Sequence, residues 1–269
     1  MDTNMIKPRV SIIMSTYNDG QYIQESIEGV LRQTYANFEF IIIDDCSTDN
    51  TEQIITDIQD KRIQYVYNER NKGLITNLNK GIAIAKGEYI ARIDSDDAWI
   101  DPDKLKKQVL FLDTHPDYAL IGSDAEVYTS DGVRLYTIIH PHTDADIRSV
   151  MLRKNCFVHS SVVFRKDVAL SSGLYAPSEK YVEDYGLWLR MGQTHKMANV
   201  AEPSVSYLHN ETGETQQHNL AQIQANIRMI QTYKKTYPQF FVGMLRWRMK
   251  YLVVRFGGLG MINRMKSHT

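Results

Sequence analysis

Apolar residues follow two alternating patterns along the first hundred positions. The run RVSIIMS is short and β-branched, the texture of a strand buried on both faces. GQYIQESIEGVLRQTY then spaces Tyr22, Ile23, Ile27, Val30 and Leu31 along one helical face. FEFIIID predicts a second strand. In CSTDNTEQIITDIQD, Asp49 and Glu52 stand at capping-box spacing before Ile54, Ile55 and Ile58, which predicts a helix start. RIQYVYN is a third strand, and LITNLNKGIAIAKG is a helix with Leu74, Leu78, Ile82 and Ala85 on one stripe and Gly87 as its C-cap. EYIARI is a fourth strand. Strands alternating with helices predict an α/β fold of the Rossmann-like kind, a mainly parallel sheet with helices on both faces.

In such sheets ligands collect at the carboxyl ends of the strands. The polar residues sit there: Ser15, Thr16, Tyr17 and Asn18 after the first strand, Asp44 and Asp45 after the second, Asp94 to Asp97 after the fourth. Beyond them DPDKLKKQVLFLDTHP predicts a helix with Asp101 as N-cap and Pro102 at its first position. The texture then changes. AEVYTSDGVRLYTII predicts a hairpin around Asp131 and Gly132, and SSVVFRKD and ANVAEPSVSYL predict further strands that extend the sheet and shape a second subsite.

At 269 residues, with 43% hydrophobic and 23% charged residues, the chain has the composition of a folded globular protein. Its net charge of −1 gives no support to nucleic-acid binding. Two cysteines, Cys46 and Cys156, form neither a disulfide framework nor a zinc site, which fits a reducing cytoplasm. The N-terminal MDTNMIKPRV lacks the apolar run of a signal peptide, and no window has the apolar length of a membrane span. The last thirty residues are an exception to the balanced charge. From Phe240 they carry Arg246, Arg248, Lys250, Arg255, Arg264 and Lys266 and no acid, with Leu245, Met249, Leu252, Val253 and Phe256 at helical spacing. That pattern suits either a helix lying on an anionic membrane or a terminal helix packed on the body.

Asp94, Asp96 and Asp97 repel one another unless a cation, a proton or water relieves them. Residues two apart in an extended segment point the same way, so Asp94 and Asp96 can converge on one ion, for which oxygen ligands favour Mg2+ or Mn2+. A calcium loop fails, since Trp99 and Leu105 occupy the places of its glycine and glutamate. The plainer alternative is that the acids cap the following helix and face water. Elsewhere, a helix after STYNDG offers N–H groups to anions, Tyr17 can stack on a base, and Asp45 can accept from an imide N–H. Neither a P-loop nor GxGxxG is present. In YVEDYGLWLRM, Glu183 and Asp184 open a helix with Leu187 and Met191 on its core face. There Asp184 is either a cap whose pKa the helix dipole lowers, or an ionised general base.

These segments, taken in order, resemble glycosyltransferase family 2 with the GT-A fold over roughly the first 210 residues. VSIIMSTYNDGQYIQESIEGVLRQTYANFEFIIIDDCSTDNT is similar to the family's opening, ERNKGLITNLNKGIAIAKGEYIARIDSDD to its middle with the DxD motif, and NCFVHSSVVFRKD and VEDYGLWLRM to its acceptor-side half. The resemblance implies a catalytic domain over residues 1–212, split near residue 100 into nucleotide and acceptor halves, with a helical, basic extension over 213–269. It implies an inverting, metal-dependent transfer from a nucleotide-sugar donor, UDP-linked, to a hydroxyl of a glycan or lipid-linked acceptor. Ser15, Tyr17 and Asp45 would contact the base, with Thr16, Asn18 and Asp44 close by and Asn71, Gly73 and Asn79 in the middle motif on the donor side; Asp94 would lie near the ribose and beside the metal. Asp96 would hold Mn2+ or Mg2+, Asp184 would be the general base, and Glu183 would line its pocket. The family often has an arginine two places before a histidine that can join the metal shell; here Tyr207 stands in the arginine's place, so His209 is either a metal ligand or a loop histidine. His159 is either an acceptor-side or a structural histidine. The implied location is cytoplasmic or peripheral on the inner face of a membrane. A sugar-phosphate nucleotidyltransferase would need a glycine-rich, basic first loop, which IMSTYNDGQY is not. A non-catalytic nucleotide-sugar or glycan-binding module is the alternative from another class.

Overall fold

A computed structural model describes residues 7–209 and 218–256; Arg264 and Lys266 of the basic tail and the N-terminal Met1–Ile6 lie outside the described residues. The alternation predicted for the first half is present. In order come β1 (Val10–Thr16), α1 (Ile23–Leu31), β2 (Phe38–Asp44), α2 (Thr51–Asp57), β3 (Ile63–Tyr67), α3 (Leu74–Ile84) and β4 (Tyr89–Arg92). β1 lies between β2 and β4 with β3 outside β2, and all four strands are parallel.

The second half continues the same sheet with mixed directions. It comprises β5 (Ala98–Trp99), α4 (Lys104–Thr114), β6 (Tyr118–Tyr128), β7 (Arg134–Ile138), α5 (Asp144–Val150), β8 (Val163–Arg165), α6 (Lys166–Ser171), α7 (Glu183–Met191) and β9 (Lys196–Leu208). β8 joins β4 antiparallel and β6 follows it, so the sheet runs β3-β2-β1-β4-β8-β6-β9-β5, with β7 paired to β6. β6 and β7 form the expected hairpin, whose Gly132 has φ +81°. Pro203 cannot donate to a ladder, and the β6–β9 register shifts on both sides of Asp124, opposite it. Two helices end the described chain, α8 (Asn219–Thr232) and α9 (Phe240–Arg255).

The period-two alternation of each strand splits the core between the two sheet faces. Ile13, Ile41, Ile43, Ile90 and Phe164 pack with Leu78 and Ile82 of α3 and with Leu187, Trp188 and Met191 of α7. Ile12, Met14, Phe40, Ile42 and Val163 pack with Ile27 and Val30 of α1 and Leu105, Val109 and Leu112 of α4. The first of these cores also takes in Ala225, Met229 and Ile230 of α8 and Met244 of α9, so the C-terminal helices are built into the body. None of the described helices is long and apolar enough to cross a membrane.

Three local expectations are corrected. The helix after Asp101 begins at Lys104 with Asp103 as N-cap; Asp101 instead accepts from the Asp103 N–H and pairs with Lys107, so Pro102 precedes the helix. The capping box at Asp49 and Glu52 is replaced by a tighter turn, in which Asp49 accepts from both the N–H and the hydroxyl of Thr51, only two residues on. Gly87 is not a left-handed C-cap, since α3 ends at Ala85 with φ −59°. A Cβ at Gly87 would stand 2.6 Å from the Ser11 nitrogen, so this glycine lets the chain enter β4 tight against β1.

Candidate active site

β4 ends at Arg92, and the next turn carries the acids. Arg92 is 1% exposed, donates to the Ile13 and Ile93 carbonyls and forms an ion pair with Asp94. Ser160 donates to the second Asp94 oxygen at 3.1 Å and also to Asp97. Burial works against Asp94 ionising, but Arg92 holds its pKa below the usual carboxylate range. Asp97 is buried, accepts from the Leu208 N–H at 3.0 Å, and is pushed well up by burial and by Asp96 and Asp94. Among the described residues, none donates a side-chain hydrogen bond to Asp96. Burial, then repulsion from Asp94 and Asp19, raises its pKa to about 7. The turn is tied down by Ser95, which donates to Asp19 at 2.5 Å and whose carbonyl accepts from Ser26 of α1 at 2.8 Å.

The start of α7 lines the same cavity as these acids, a space of ≈ 560 Å³. Asp94, Asp96, Asp97, Glu183 and Asp184 all line this one space, with His159, Tyr207 and His209. Asp184 accepts from Asn155 Nδ2 at 2.7 Å and from the Tyr185 N–H at 2.6 Å. The helix dipole predicts a lowered pKa here; the structure reverses this, because burial outweighs both donors and lifts Asp184 to about 6. It is still mostly ionised at neutral pH, and more basic than an exposed aspartate. His159 shares a 3.0 Å hydrogen bond with the Tyr175 hydroxyl, and burial followed by the Arg92 charge lowers its pKa to about 3. It therefore faces the cavity as a neutral imidazole.

Apart from Asp94, the residues expected around a nucleotide lie at the ends of β1 and β2 and along the segment from β3 into α3, and are not among those lining this cavity. Tyr17, Asn18 and Asn71 are exposed. Asn18 has φ 57°, and its side chain accepts from the Thr48 N–H, tying the loops after β1 and β2 together. Thr16 donates to Asp19. Ser15 accepts from Asn77 at 3.1 Å. Asp44 is fully buried and accepts from Ser47 N–H and the Tyr65 hydroxyl. Asp45 is 3% exposed, with one oxygen taking Asn68 and the Lys72 N–H and the other the Gly73 N–H. Burial would raise its pKa, yet these donors hold it below the ordinary value. Its carboxylate organises the loop into α3, where Gly73 takes φ +83°, because those backbone amides need an acceptor. Asn79 likewise holds backbone, exchanging hydrogen bonds with both the N–H and the carbonyl of Tyr175. Asp44, Asp45 and Asn79 thus have structural partners that their motif positions do not reveal.

A metal would find few protein ligands. Among the described residues, no three His, Cys, Asp or Glu side chains gather closely enough to hold one, and Asp94 is committed to Arg92. His209 lines the same cavity without joining such a cluster. The donor set still fits a hard cation of the magnesium kind, which keeps waters and accepts phosphate oxygens: Asp96, buried and repelled by Asp94 and Asp19, is the carboxylate a cation would relieve.

Several contributors were missed in the sequence. Arg92 sits two residues before Asp94 on an extended segment, a readable signal for a shared face. Ser160, Asn155 and Asp19 come from other elements and leave no local sign. The C-terminal helices also reach the cavity: His218, Gln222, Asn226 and Trp247 line it, and the His218 ring lies 4.8 Å from Tyr181.

The model of the family described as Glycosyl transferase family 2 matches residues 11–170. The putative glycosyltransferase EpsE of Bacillus subtilis is 36% identical over 188 residues, covering 68% of this chain and 66% of EpsE. The UDP-Glc:alpha-D-GlcNAc-diphosphoundecaprenol beta-1,3-glucosyltransferase WfaP of Escherichia coli is 34% identical over 182 residues, covering 68% of this chain and 69% of WfaP. These matches span about two thirds of each relative's own length. Among solved structures, S. aureus TarS 1-349 in complex with UDP-GlcNAc superposes with a TM-score of 0.69 at 18% identity, over 90% of this chain and 72% of that one. The mannosyltransferase PcManGT of Pyrobaculum calidifontis, in complex with GDP-Man and Mn2+, gives 0.64 at 19%, over 91% and 70%. At such identities these two likenesses establish the GT-A fold. By the residues the family model matches and by relatives more than 30% identical, the chain belongs to glycosyl transferase family 2.

Proposed function

We propose that the protein moves a sugar from a nucleoside-diphosphate donor, uridine-based, to a hydroxyl of a lipid-linked or glycan acceptor, with inversion at the anomeric carbon. The observation that carries this reading is the sharing of one cavity by Asp96 and Asp184, two carboxyls raised to about 7 and about 6. An inverting transfer needs these two sites on opposite sides of a sugar. As the acceptor oxygen attacks C1, its proton passes to Asp184, which Asn155 orients, while the bond from C1 to the diphosphate oxygen breaks on the other face. Asp96, with the donor's own phosphates, would hold a divalent cation that neutralises charge on the departing diphosphate. The TarS and PcManGT complexes with nucleotide sugars, and the lipid diphosphate acceptor in the name of WfaP, support the substrate classes by analogy.

The test is donor turnover measured as nucleoside diphosphate release across a panel of nucleotide sugars, with Mn2+ and with EDTA. Asp184→Asn should lower turnover by about 10²–10⁴-fold with donor affinity nearly unchanged, the usual contribution of a positioned base. Asp96→Ala should weaken donor binding as well. Turnover close to wild type in Asp184→Asn would remove this residue from the base role, and turnover indifferent to EDTA would remove the cation.

A further inference from the structure

Helix α9 has two unlike sides. Towards the body, Met244 belongs to the core, Trp247 packs on it, and Gly243 lets the helix come so close that an added Cβ would stand 2.2 Å from the Leu152 carbonyl oxygen. Outward, Phe241, Leu245, Met249, Leu252 and Phe256 are 84%, 65%, 53%, 46% and 76% exposed. At 3.6 residues per turn these five fall within a stripe about 80° wide, opposite Gly243 and Trp247. Arg248 and Arg255 border one edge of the stripe, Arg246 lies beyond the other, and residues 240–256 contain no acid. A helix exposed only to water carries polar residues on its outer face, so a row of large apolar side chains there marks a contact surface.

The charges choose the occupant. A second copy placing α9 against α9 would bring like-charged margins together, which is unfavourable. An anionic lipid surface suits both features at once: the stripe enters the boundary between headgroups and acyl chains, while the flanking arginines meet lipid phosphates. We propose that α9 lies in the plane of an anionic bilayer surface and docks the protein there through Phe241, Leu245, Met249, Leu252 and Phe256. The opposite face of the same helix sends Trp247 into the active-site cavity. Docking would therefore set the cavity beside the membrane, within reach of a lipid-linked acceptor; only that last step rests on the function proposed above.

Co-sedimentation of the full chain with vesicles, in the absence of donor and acceptor, tests docking separately from transfer. Binding to phosphatidylglycerol–phosphatidylcholine vesicles should exceed binding to phosphatidylcholine alone by about tenfold or more, and should weaken in about 0.5 M salt. Leu245→Ser/Leu252→Ser should reduce binding by about tenfold or more, and Arg246→Gln/Arg248→Gln should remove most of the preference for anionic lipid, with thermal unfolding of both variants unchanged. Absence of vesicle binding, equal binding to neutral vesicles, or a dimer in sedimentation velocity that Leu245→Ser/Leu252→Ser dissociates would each overturn the proposal. Vesicle binding read this way stands whether or not nucleotide-sugar turnover is found, so the two readings fail separately.

Discussion

At the scale of single residues, the site depends on aspartates of one sequence type put to different uses by their neighbours. Asp94 is neutralised by a buried arginine, Asp45 is consumed by backbone amides, and Asp96 and Asp184 are left with raised pKa values of about 7 and about 6. A base must be ionised to accept a proton, so transfer should fall as the pH drops through the pKa of Asp184. With burial raising that pKa, the half-point of the fall should lie at about 6. A kcat profile flat down to pH of about 4, the ordinary aspartate value, would deny Asp184 this part. The positions of Asp94, Asp96 and Asp184 were legible in the chain; their charge states were not. Proximity to Arg92, Ser160 and Asn155 is made by strands and loops far apart in sequence.

At the scale of elements, the strands and helices of the first half could be read from periodicity, while their ends could not. The hydrophobic repeat reports which face is buried, but an end is decided by which group happens to satisfy the last amides. Asp101, Asp49 and Gly87 each show this, as the difference between a capping motif and the contact found. Gly87 permits a measurement. Ser11 donates to Glu39 at 2.6 Å and accepts from the Gly87 N–H at 2.8 Å, a buried link between β1, β2 and the entry to β4. Gly87→Ala forces a Cβ onto the Ser11 and Val10 backbone, neither of which can swing aside. Overpacking of this kind costs about 1–3 kcal/mol, and for a chain of this length that lowers Tm by roughly 2–4 °C per kcal/mol. An unchanged melting temperature would mean that β4 has slack against β1 that the packing denies.

At the scale of the whole molecule, the acids after β4 and the start of α7 enclose one cavity, and α8 and α9 close part of its wall. A nucleoside diphosphate bridging Asp96 through a cation should therefore stabilise the fold by mass action. At a ligand concentration of a hundred times Kd the gain is about 2.7 kcal/mol, or a rise in Tm of roughly 5–10 °C. UDP with Mn2+ should give this shift by differential scanning fluorimetry, EDTA should cancel most of it, and Asp96→Ala should abolish the part that depends on the metal. A shift equal with and without Mn2+ would show that the nucleotide binds without the bridge.

The chain by itself determined the alternation of strands and helices, the gathering of polar residues at strand ends and the likeness to a family, because these follow from local periodicity and from motif order. It also placed the apolar and basic residues of α9 on their helical repeat. Only the tertiary structure decided which carboxylates are already spent on protein donors, that burial overrides the helix dipole at Asp184, and that α9 gives one face to the core while leaving its apolar stripe in solvent. Those outcomes depend on desolvation and on partners brought together from distant parts of the chain, and neither quantity is a property of any short stretch of sequence.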